Sequence, residues 1–330
     1  MDYLSSSTID RENLVELLRH IDQKRPTGCE TWEQWEISPS PYGSNNAVYR
    51  ARTTGEDFCL KFTIPDKRQR AYREYYALVT LAEACPGIAP QPLLLDESSF
   101  SLPVVVTTWL EGNVSKSPPA DDKEWRALLR HMSTVHRVRP AASNMILLPQ
   151  PINAYSIREG KEIVREQTAQ LPQEAIDNSY QTLLTRFYST AFLEWTGRTV
   201  SLCRADNNTL NFIRRDDNWA SVDWENSGWG DPAFDIANLI THPAYIGMEN
   251  LNWEELVNDY YDFGGDQTFL IRVASYYKIL LVWWVARFAR YIHEVPRGLD
   301  ARLKNWSSDS VDQLKSNYDL YFAKAKAVYS

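Results

Sequence analysis

The sequence predicts an α+β protein with two lobes, a small strand-rich lobe followed by a larger, mainly helical lobe. Two patterns support this fold class. Residues 31–64 and 89–112 form short alternating or apolar segments broken by Pro and Gly, as in antiparallel strands joined by turns. Beyond Gly112, apolar residues recur mainly at helical spacing. A chain of 330 residues, 44% of them hydrophobic, is long enough to form both lobes.

The predicted N-terminal lobe covers residues 1–112 and the predicted C-terminal lobe residues 113–330, with the boundary between Gly112 and Pro119. In the first lobe we expect a helix at 8–23, strands within 32–40, 46–53 and 57–64, a helix at 67–85 that ends before Pro86, and strands within 89–98 and 101–112. In the second lobe we expect helices within 117–138, 156–170, 173–197 and 253–330, and short strands at 211–215 and 219–225.

Composition narrows the function classes. A net charge of −8 argues against general affinity for nucleic acid or anionic membranes. The four cysteines are scattered without a CxxC pair, which disfavours a zinc site or a disulfide framework and favours the reducing cytoplasm. The N-terminal residues are polar and acidic, unlike a secretory signal. The longest apolar run, at 279–286, is too short to span a bilayer. We therefore expect a cytoplasmic protein with no nucleic-acid or membrane partner; the oligomeric state stays open.

Three polar residues stand among apolar segments in the second lobe. Asp206 and Asn211 are five residues apart, and Asp223 follows at the end of an apolar strand. An Asp can accept a proton from a hydroxyl, while an amide oxygen and a carboxylate suit Mg²⁺. Phosphoryl transfer needs little beyond an acceptor, neutralised phosphate charge and positioning. The alternative is that Asp206 belongs to a hairpin turn and that Asp223 is an ordinary strand-end residue.

The first lobe contributes a lysine in an apolar strand. Lys61 lies between Leu60 and Phe62, where an unpaired ammonium is costly to bury, and Glu74 in the following helix is its candidate partner. A cation held by a carboxylate fits an ATP phosphate site. The alternative for Glu74 is a solvated helix face shared with Arg70 and Arg73. A hairpin with exposed main-chain N–H groups would cover the phosphates, at Gly43, Ser44 and Asn45.

These residues resemble the aminoglycoside phosphotransferase and choline kinase-like family, small-molecule relatives of protein kinases, from about Trp35 to His242. The family motif H-G-D-x-x-x-x-N corresponds to 204–211 and the I-D-W/F-E motif to 222–225. The most specific match is G-D-P-x-x-D-L-A, at 230–237. The resemblance implies the bilobal protein-kinase-like fold, an antiparallel-sheet N-lobe with a larger helical C-lobe, and an ATP-dependent (or GTP-dependent) phosphotransferase that acts on an alcohol group.

The resemblance also implies residue roles. Asp206 orients or deprotonates the acceptor hydroxyl, and Asn211 and Asp223 hold Mg²⁺. Lys61, paired with Glu74, binds the ATP phosphates. The hinge main chain binds adenine, at Thr108, Trp109 and Leu110. Asp235 is structural and accepts hydrogen bonds from the catalytic-loop backbone. In two places the chain departs from the pattern, with Arg204 for the family His and Ala205 for its Gly. We interpret both as changes in support, with Arg204 able to pair with an acidic group such as Asp235.

The acceptor site is expected among the C-terminal helices. Aromatic residues there can bind an amine by cation–π attraction, and the candidates are Trp283 and Trp284. Further candidates lie in or shortly after the segment at 222–225 that contains Asp223: Glu225, Trp229 and Asp231. A buried core helix is the alternative. The function predicted is a small-molecule kinase that uses ATP and Mg²⁺ to phosphorylate an amino-alcohol, aminoglycoside or sugar-like acceptor. A nucleotide-binding pseudokinase with a scaffold or sensor role is the runner-up, and a protein kinase is disfavoured because no activation segment is recognisable between Asp223 and Asp231.

Overall fold

A computed structural model of the chain describes residues 11–40, 46–140, 147–196, 199–215, 218–248, 252–261, 266, 268–299 and 308–330. The predicted phosphate-hairpin residues Gly43, Ser44 and Asn45 lie outside these ranges. The chain divides into two compact units, which we call the first unit (Met1–Pro151 with Asn208–Trp229) and the second unit (Ile152–Asn207 with Gly230–Ser330). The boundary predicted near Gly112 stays a prediction.

An antiparallel sheet forms the centre of the first unit. Its strands are β1 (Glu30–Trp32), β2 (Trp35–Pro39), β3 (Ala47–Arg52), β4 (Asp57–Phe62), β5 (Pro92–Asp96) and β6 (Val104–Thr108). They lie in the order β1-β2-β3-β4-β6-β5, with every neighbouring pair antiparallel. The predicted strand at 32–40 is interrupted by a turn after Trp32, where Glu33 has a left-handed φ of 49°.

The two faces of this sheet bury different groups. Helix α1 (Arg11–Lys24) covers one face with Leu14, Leu17, Leu18 and Ile21, which join a core that includes Leu60 and Phe62 of β4. Successive side chains of a strand point to opposite faces, so Lys61 points away from that core. Helix α2 (Arg70–Ala84) packs on β5 and β6, and its Ala71 and Tyr75 contact Val105, the cross-strand partner of Lys61.

The first unit also includes helix α3 (Asp122–His136) and two short strands, β8 (Phe212–Ile213) and β9 (Ala220–Ser221), which pair antiparallel. Two more strands lie in the described part of the chain, β7 (Ser201–Cys203) and β10 (Gly228–Gly230). The buried ring of His131 on α3 connects its two nitrogens to the Trp219 carbonyl and the Ser221 hydroxyl, each at 2.9 Å. This anchor fixes the chain immediately before Asp223.

The second unit is mainly helical. Its helices are α4 (Ile157–Thr168), α5 (Asn178–Ser189), α6 (Pro232–Thr241), α7 (Trp253–Tyr261), α8 (Phe269–Glu294) and α9 (Ser308–Val328). Helix α8 is the central element and packs against α4, α6, α7 and α9. Helix α5 begins later than predicted because the Asp177 carboxylate caps it, accepting the Tyr180 N–H at 2.7 Å.

Helix α8 extends well beyond the eight-residue apolar run noted in the sequence. Within the described ranges, the segment Phe269–Arg297 is the one helical stretch whose length and composition would suffice to cross a membrane. Of its most apolar window, 67% is buried inside the protein, and the core helix of a soluble protein passes the same test. The segment is therefore weak evidence for a membrane span.

We predict that Gly228→Ala destabilises the protein. A Cβ at Gly228 would collide with the Leu148 carbonyl and lie 2.6 Å from the Gln150 nitrogen, and main-chain atoms there cannot move aside easily. The expected loss is about 1–3 kcal/mol of unfolding free energy, as for overpacking in a core. Chemical denaturation measures it. Gly55→Ala is the matched control, because nothing lies within 4 Å of a Cβ at that position; equal effects of the two substitutions would contradict the prediction.

Candidate active site

Lys61 is the centre of a buried ion cluster in the first unit. Its Nζ lies 2.7 Å from the Glu74 Oε2 and 3.2 Å from the Glu225 Oε2, and it donates a hydrogen bond to the Asp223 Oδ1. The predicted pair between Lys61 and Glu74 is therefore present. The alternative of a solvated helix face is wrong, because Arg70, Arg73 and Glu74 are all buried.

Glu225 is built into this cluster by two further donors. Arg70 donates Nη1 to the Glu225 Oε1 and Nε to the Asp66 Oδ2 at 2.8 Å. The Asn46 amide donates to the Glu225 Oε2 at 2.5 Å. The sequence singled out Glu225 as a substrate residue, and these contacts account for it without a substrate. Its substrate role stays a prediction.

The electrostatics of the cluster follow from one ammonium among three carboxylates. Burial alone would lower the pKa of Lys61, but Asp223, Glu225 and Glu74 outweigh it and hold that pKa well above its ordinary value. Burial raises the pKa of Glu74 to about 7, with Asp223 and Glu225 adding to the increase and Lys61 opposing it. Lys61 therefore stays charged at neutral pH and holds the three acids together.

The same cluster fits a divalent cation. One carboxylate oxygen from each of Glu74, Asp223 and Glu225 lies within 4.8 Å of the others, and hard cations such as Mg²⁺ prefer such oxygen ligands. Asp223 has a left-handed φ of 62°, a strained geometry that occurs often at functional sites. Asn211 immediately precedes β8, and its carbonyl accepts the Val222 N–H at 2.9 Å. The structure thus brings Asn211 and Asp223 onto adjoining segments, and their metal role stays a prediction.

The predicted adenine hinge follows strand β6. The Thr108 N–H donates to the Gln91 carbonyl at 3.0 Å, and the Trp109 N–H donates to the Asp57 carbonyl at 2.9 Å. These two donors are used within the first unit, so a nucleotide base would use other main-chain groups of the segment, such as those of Leu110. The hinge role of all three residues stays a prediction.

In the second unit, the Asp206 loop is held by a buried carboxylate. The main-chain N–H groups of Arg204 and Ala205 donate to the two oxygens of Asp235, at 2.8 and 3.0 Å. The Asn207 amide also donates to Asp235. This is the contact predicted for Asp235. It positions the loop main chain, while the Asp206 side chain keeps 32% of its surface exposed.

The two departures from the family motif have visible local consequences. The buried Arg204 guanidinium donates to the Asp206 carbonyl at 3.3 Å, so it supports the loop from within. Ala205 has a φ of 67°, in the left-handed region that glycine occupies without a steric cost. The family Gly at this position is therefore explained by backbone conformation, and Ala205 carries some strain in its place.

The remaining predicted substrate residues lie in different surroundings. Trp229 in the first unit is 9% exposed, and its main chain bonds to Leu148 and Gln150. Asp231 in the second unit caps α6 through the Ala233 N–H and pairs with the buried Arg272. Burial raises the pKa of Asp231 to about 6, although Arg272 opposes the shift. A structural role accounts for Asp231, and its substrate role stays a prediction.

The two adjacent tryptophans of α8 differ in burial. Trp283 is buried in the core, as neighbours about 100° apart on a helix allow, whereas Trp284 is partly exposed. The Trp284 ring meets His242 edge to face, with centroids 5.7 Å apart, and stacks on Phe288. The Trp284 ring also packs against Tyr321, with centroids 6.1 Å apart, and the substrate role of both tryptophans stays a prediction.

His242 was not among the residues that the sequence singled out. Its Nε2 lies 3.9 Å from the Asp206 Oδ1. The only sequence signal was its position directly after the G-D-P-x-x-D-L-A helix, and a lone histidine there carries no pattern of its own.

Comparison with known proteins identifies the family. The phosphotransferase enzyme family model matches residues 36–267, well over half of the chain. No curated protein sequence matches. One similar solved structure is a choline/ethanolamine kinase family protein from Mesorhizobium loti, with 18% identity over 95% of this chain and 94% of that chain and a TM-score of 0.58. A macrolide 2′-phosphotransferase from Brachybacterium faecium has 19% identity over 90% of this chain and 99% of its own, with a TM-score of 0.58. A spectinomycin phosphotransferase in complex with ADP and spectinomycin has 13% identity over 96% of this chain and 99% of its own, with a TM-score of 0.57.

The chain therefore belongs to the phosphotransferase enzyme family, and the predicted enzyme class is confirmed. At these low identities the solved structures establish the fold alone. It is the protein-kinase-like fold of aminoglycoside phosphotransferases and choline kinases, as the sequence motifs predicted.

We predict that Lys61→Met strongly destabilises the protein. The substitution leaves buried carboxylates without their cation, which typically costs about 3–5 kcal/mol. Mg²⁺ should then stabilise the variant more than the wild type, because it replaces the missing positive charge. Thermal unfolding with and without Mg²⁺ measures both effects. Lys67→Met, at an exposed position, is the control. An unchanged melting temperature for Lys61→Met would show that the cluster is not coupled to folding.

We also predict that Ala205→Gly stabilises the protein slightly. Glycine relieves the left-handed strain, and the gain exceeds its extra backbone entropy by about 0.5–1 kcal/mol. Ala237→Gly, in the buried helix α6, should instead destabilise by about 1 kcal/mol. Denaturation curves of the two variants should shift in opposite directions, and a loss of stability in both would refute the interpretation of Ala205.

Proposed function

We propose that this enzyme transfers the terminal phosphoryl group of ATP to a hydroxyl group of a small molecule, with Mg²⁺. The observation that carries the proposal is the buried Lys61 surrounded by Glu74, Asp223 and Glu225. Such a cluster offers a fixed cation for phosphate oxygens and carboxylates for a metal. The solved relatives named above support it, since one holds ADP and spectinomycin and another is a choline/ethanolamine kinase family protein.

Lys61 acts on the phosphates in this proposal. Glu74 and Glu225 orient its ammonium, and the charge is preorganised, so it needs no rearrangement when negative charge develops on the transferring group. Asp223 and Asn211 would hold Mg²⁺, and Glu225 lies close enough to Asp223 to contribute. When bound, the ion neutralises charge on the phosphate oxygens.

Asp206 acts on the acceptor. Its carboxylate accepts the proton of the acceptor hydroxyl while that oxygen forms a bond to the γ-phosphorus. The bond from the phosphorus to the bridging oxygen breaks, and ADP leaves with that electron pair. Asp235 contributes by holding the main chain of the two residues that precede Asp206, so that the loop is positioned before the acceptor arrives.

The groups near Asp206 support a proposal for the acceptor class. We propose an acceptor that carries an amine besides its hydroxyl, because the partly exposed Trp284 lies edge to face with His242 and an aromatic ring can bind a cation. ATP is the proposed donor, with GTP as the competing nucleotide in the assay. The four free cysteines support a cytoplasmic location, which we also propose.

The test is ADP release from Mg²⁺-ATP, and GDP release from Mg²⁺-GTP, with a panel of acceptors: choline, ethanolamine, spectinomycin, kanamycin, homoserine and simple sugars. We expect one acceptor class to stimulate release. Asp206→Asn should lower kcat about 10²- to 10⁴-fold, the contribution typical of a positioned base, with nucleotide binding unchanged. Asp122→Asn, at an exposed position on α3, is the matched control.

Three outcomes contradict the proposal. Nucleotide binding without acceptor-stimulated turnover would favour the pseudokinase. Turnover that survives Asp206→Asn would remove this residue from the chemistry. Phosphorylation of peptides, without activity on any small molecule, would point to a protein kinase.

A further inference from the structure

His242 occupies a defined position beside the proposed base. It directly follows α6 and precedes Pro243, with the extended conformation (φ −70°, ψ 135°) that a residue before proline favours. Its ring meets Trp284 and Tyr245 edge to face, with centroids 5.7 and 6.2 Å away. The ring is therefore held on two sides, and its Nε2 lies 3.9 Å from the Asp206 Oδ1.

A main-chain contact determines which ring nitrogen carries the proton. The Ala244 N–H donates to the Nδ1 of His242 at 3.2 Å, in the turn that caps the following 3₁₀ segment. A nitrogen that accepts a hydrogen bond is unprotonated, so the neutral ring has its hydrogen on Nε2. That hydrogen belongs to the nitrogen nearer Asp206.

The ring is neutral at physiological pH. Burial lowers the pKa of His242 to about 4. The 3.9 Å approach to Asp206 is therefore not an ion pair, and it is also too long for a direct hydrogen bond. A fixed donor and a carboxylate thus face each other without bonding.

We propose that His242 binds the acceptor: its Nε2–H donates a hydrogen bond to the same hydroxyl oxygen whose proton Asp206 accepts. This inference rests on the proposed function. An oxygen within about 3 Å of both the Nε2 and the carboxylate oxygen fits a separation of 3.9 Å. The hydroxyl then donates its hydrogen to Asp206 and accepts the Nε2–H of His242 with one lone pair, so a single oxygen makes both contacts.

A donor at this position orients the acceptor hydroxyl and stabilises the negative charge that develops on its oxygen. Two contacts fix the direction of the hydroxyl where one would leave it free to rotate. Negative charge grows on the acceptor oxygen as Asp206 takes its proton, and a preorganised neutral donor then binds it more strongly. A neutral donor also selects an oxygen at this point, so an ammonium group of the acceptor would lie elsewhere, such as on the Trp284 ring.

The experiment compares His242→Leu with His242→Gln. Leucine removes the donor and keeps an apolar group at the site, whereas the glutamine amide retains an N–H at the end of the side chain. The probe is whichever panel acceptor the wild type phosphorylates fastest, with ADP release as the readout. We expect His242→Leu to lower kcat/KM for the acceptor about 10- to 100-fold, the effect of losing a hydrogen bond to a group that becomes charged. His242→Gln should recover most of it, with the KM for ATP unchanged in both.

The control is His293→Leu, the same substitution near the end of α8. Thermal unfolding of every variant shows whether it is folded. Wild-type-like kcat/KM in a folded His242→Leu variant overturns the inference and leaves the proposed function intact. Equal losses in the Leu and Gln variants, in step with lower melting temperatures, also overturn it, because they indicate a packing role. If the wild type phosphorylates no acceptor, the proposed function fails first and this inference fails with it.

Discussion

The buried ammonium of Lys61 is the constraint on which the first unit depends. It lies on the face of β4 opposite the α1 core, where an isolated charge would be very costly. Glu74 from α2 and Asp223 and Glu225 from the segment after β9 satisfy it together. The Lys61 ammonium therefore connects strand β4, helix α2 and the segment that follows β9. Those carboxylates would repel one another without this cation.

The second unit uses the opposite arrangement, a buried anion that holds main-chain donors. Asp235 accepts hydrogen bonds from the main-chain N–H groups of Arg204 and Ala205 and from the side-chain amide of Asn207. These bonds offset the strain of a left-handed alanine and keep the Asp206 side chain oriented. The loop thus gains its geometry from α6, and Arg204 adds a contact to the Asp206 carbonyl from inside the loop. Replacement of the family His and Gly changed the support of the loop and kept the acidic group that it presents.

Two of these contacts could be predicted from local sequence patterns. A lysine within an apolar strand needs a carboxylate, and a helix that follows at once offers few candidates, so the Lys61–Glu74 pair could be predicted. Asp235 could be assigned through its motif. Glu225 could not, since only the folded chain shows Arg70, Asn46 and Lys61 converging on it. His242 could not be predicted either, because its approach to Asp206 joins residues that are 36 positions apart through the packing of α6 on β7.

The order of strands and helices, the family motifs and the residue types of the candidate site can be recognised from the sequence, because periodicity, turn residues and short motifs are local properties of a chain. For most of those side chains, the partners become visible only in the folded protein. Asp231 and Glu225 are both acids that follow Asp223 closely in the sequence. In the folded chain, Asp231 caps helix α6 beside Arg272, whereas Glu225 joins the cluster around Lys61. The same holds for Trp283 and Trp284, where one faces the core and its neighbour is left to meet His242. Burial and most pairings depend on contacts between distant segments, which local sequence patterns do not encode.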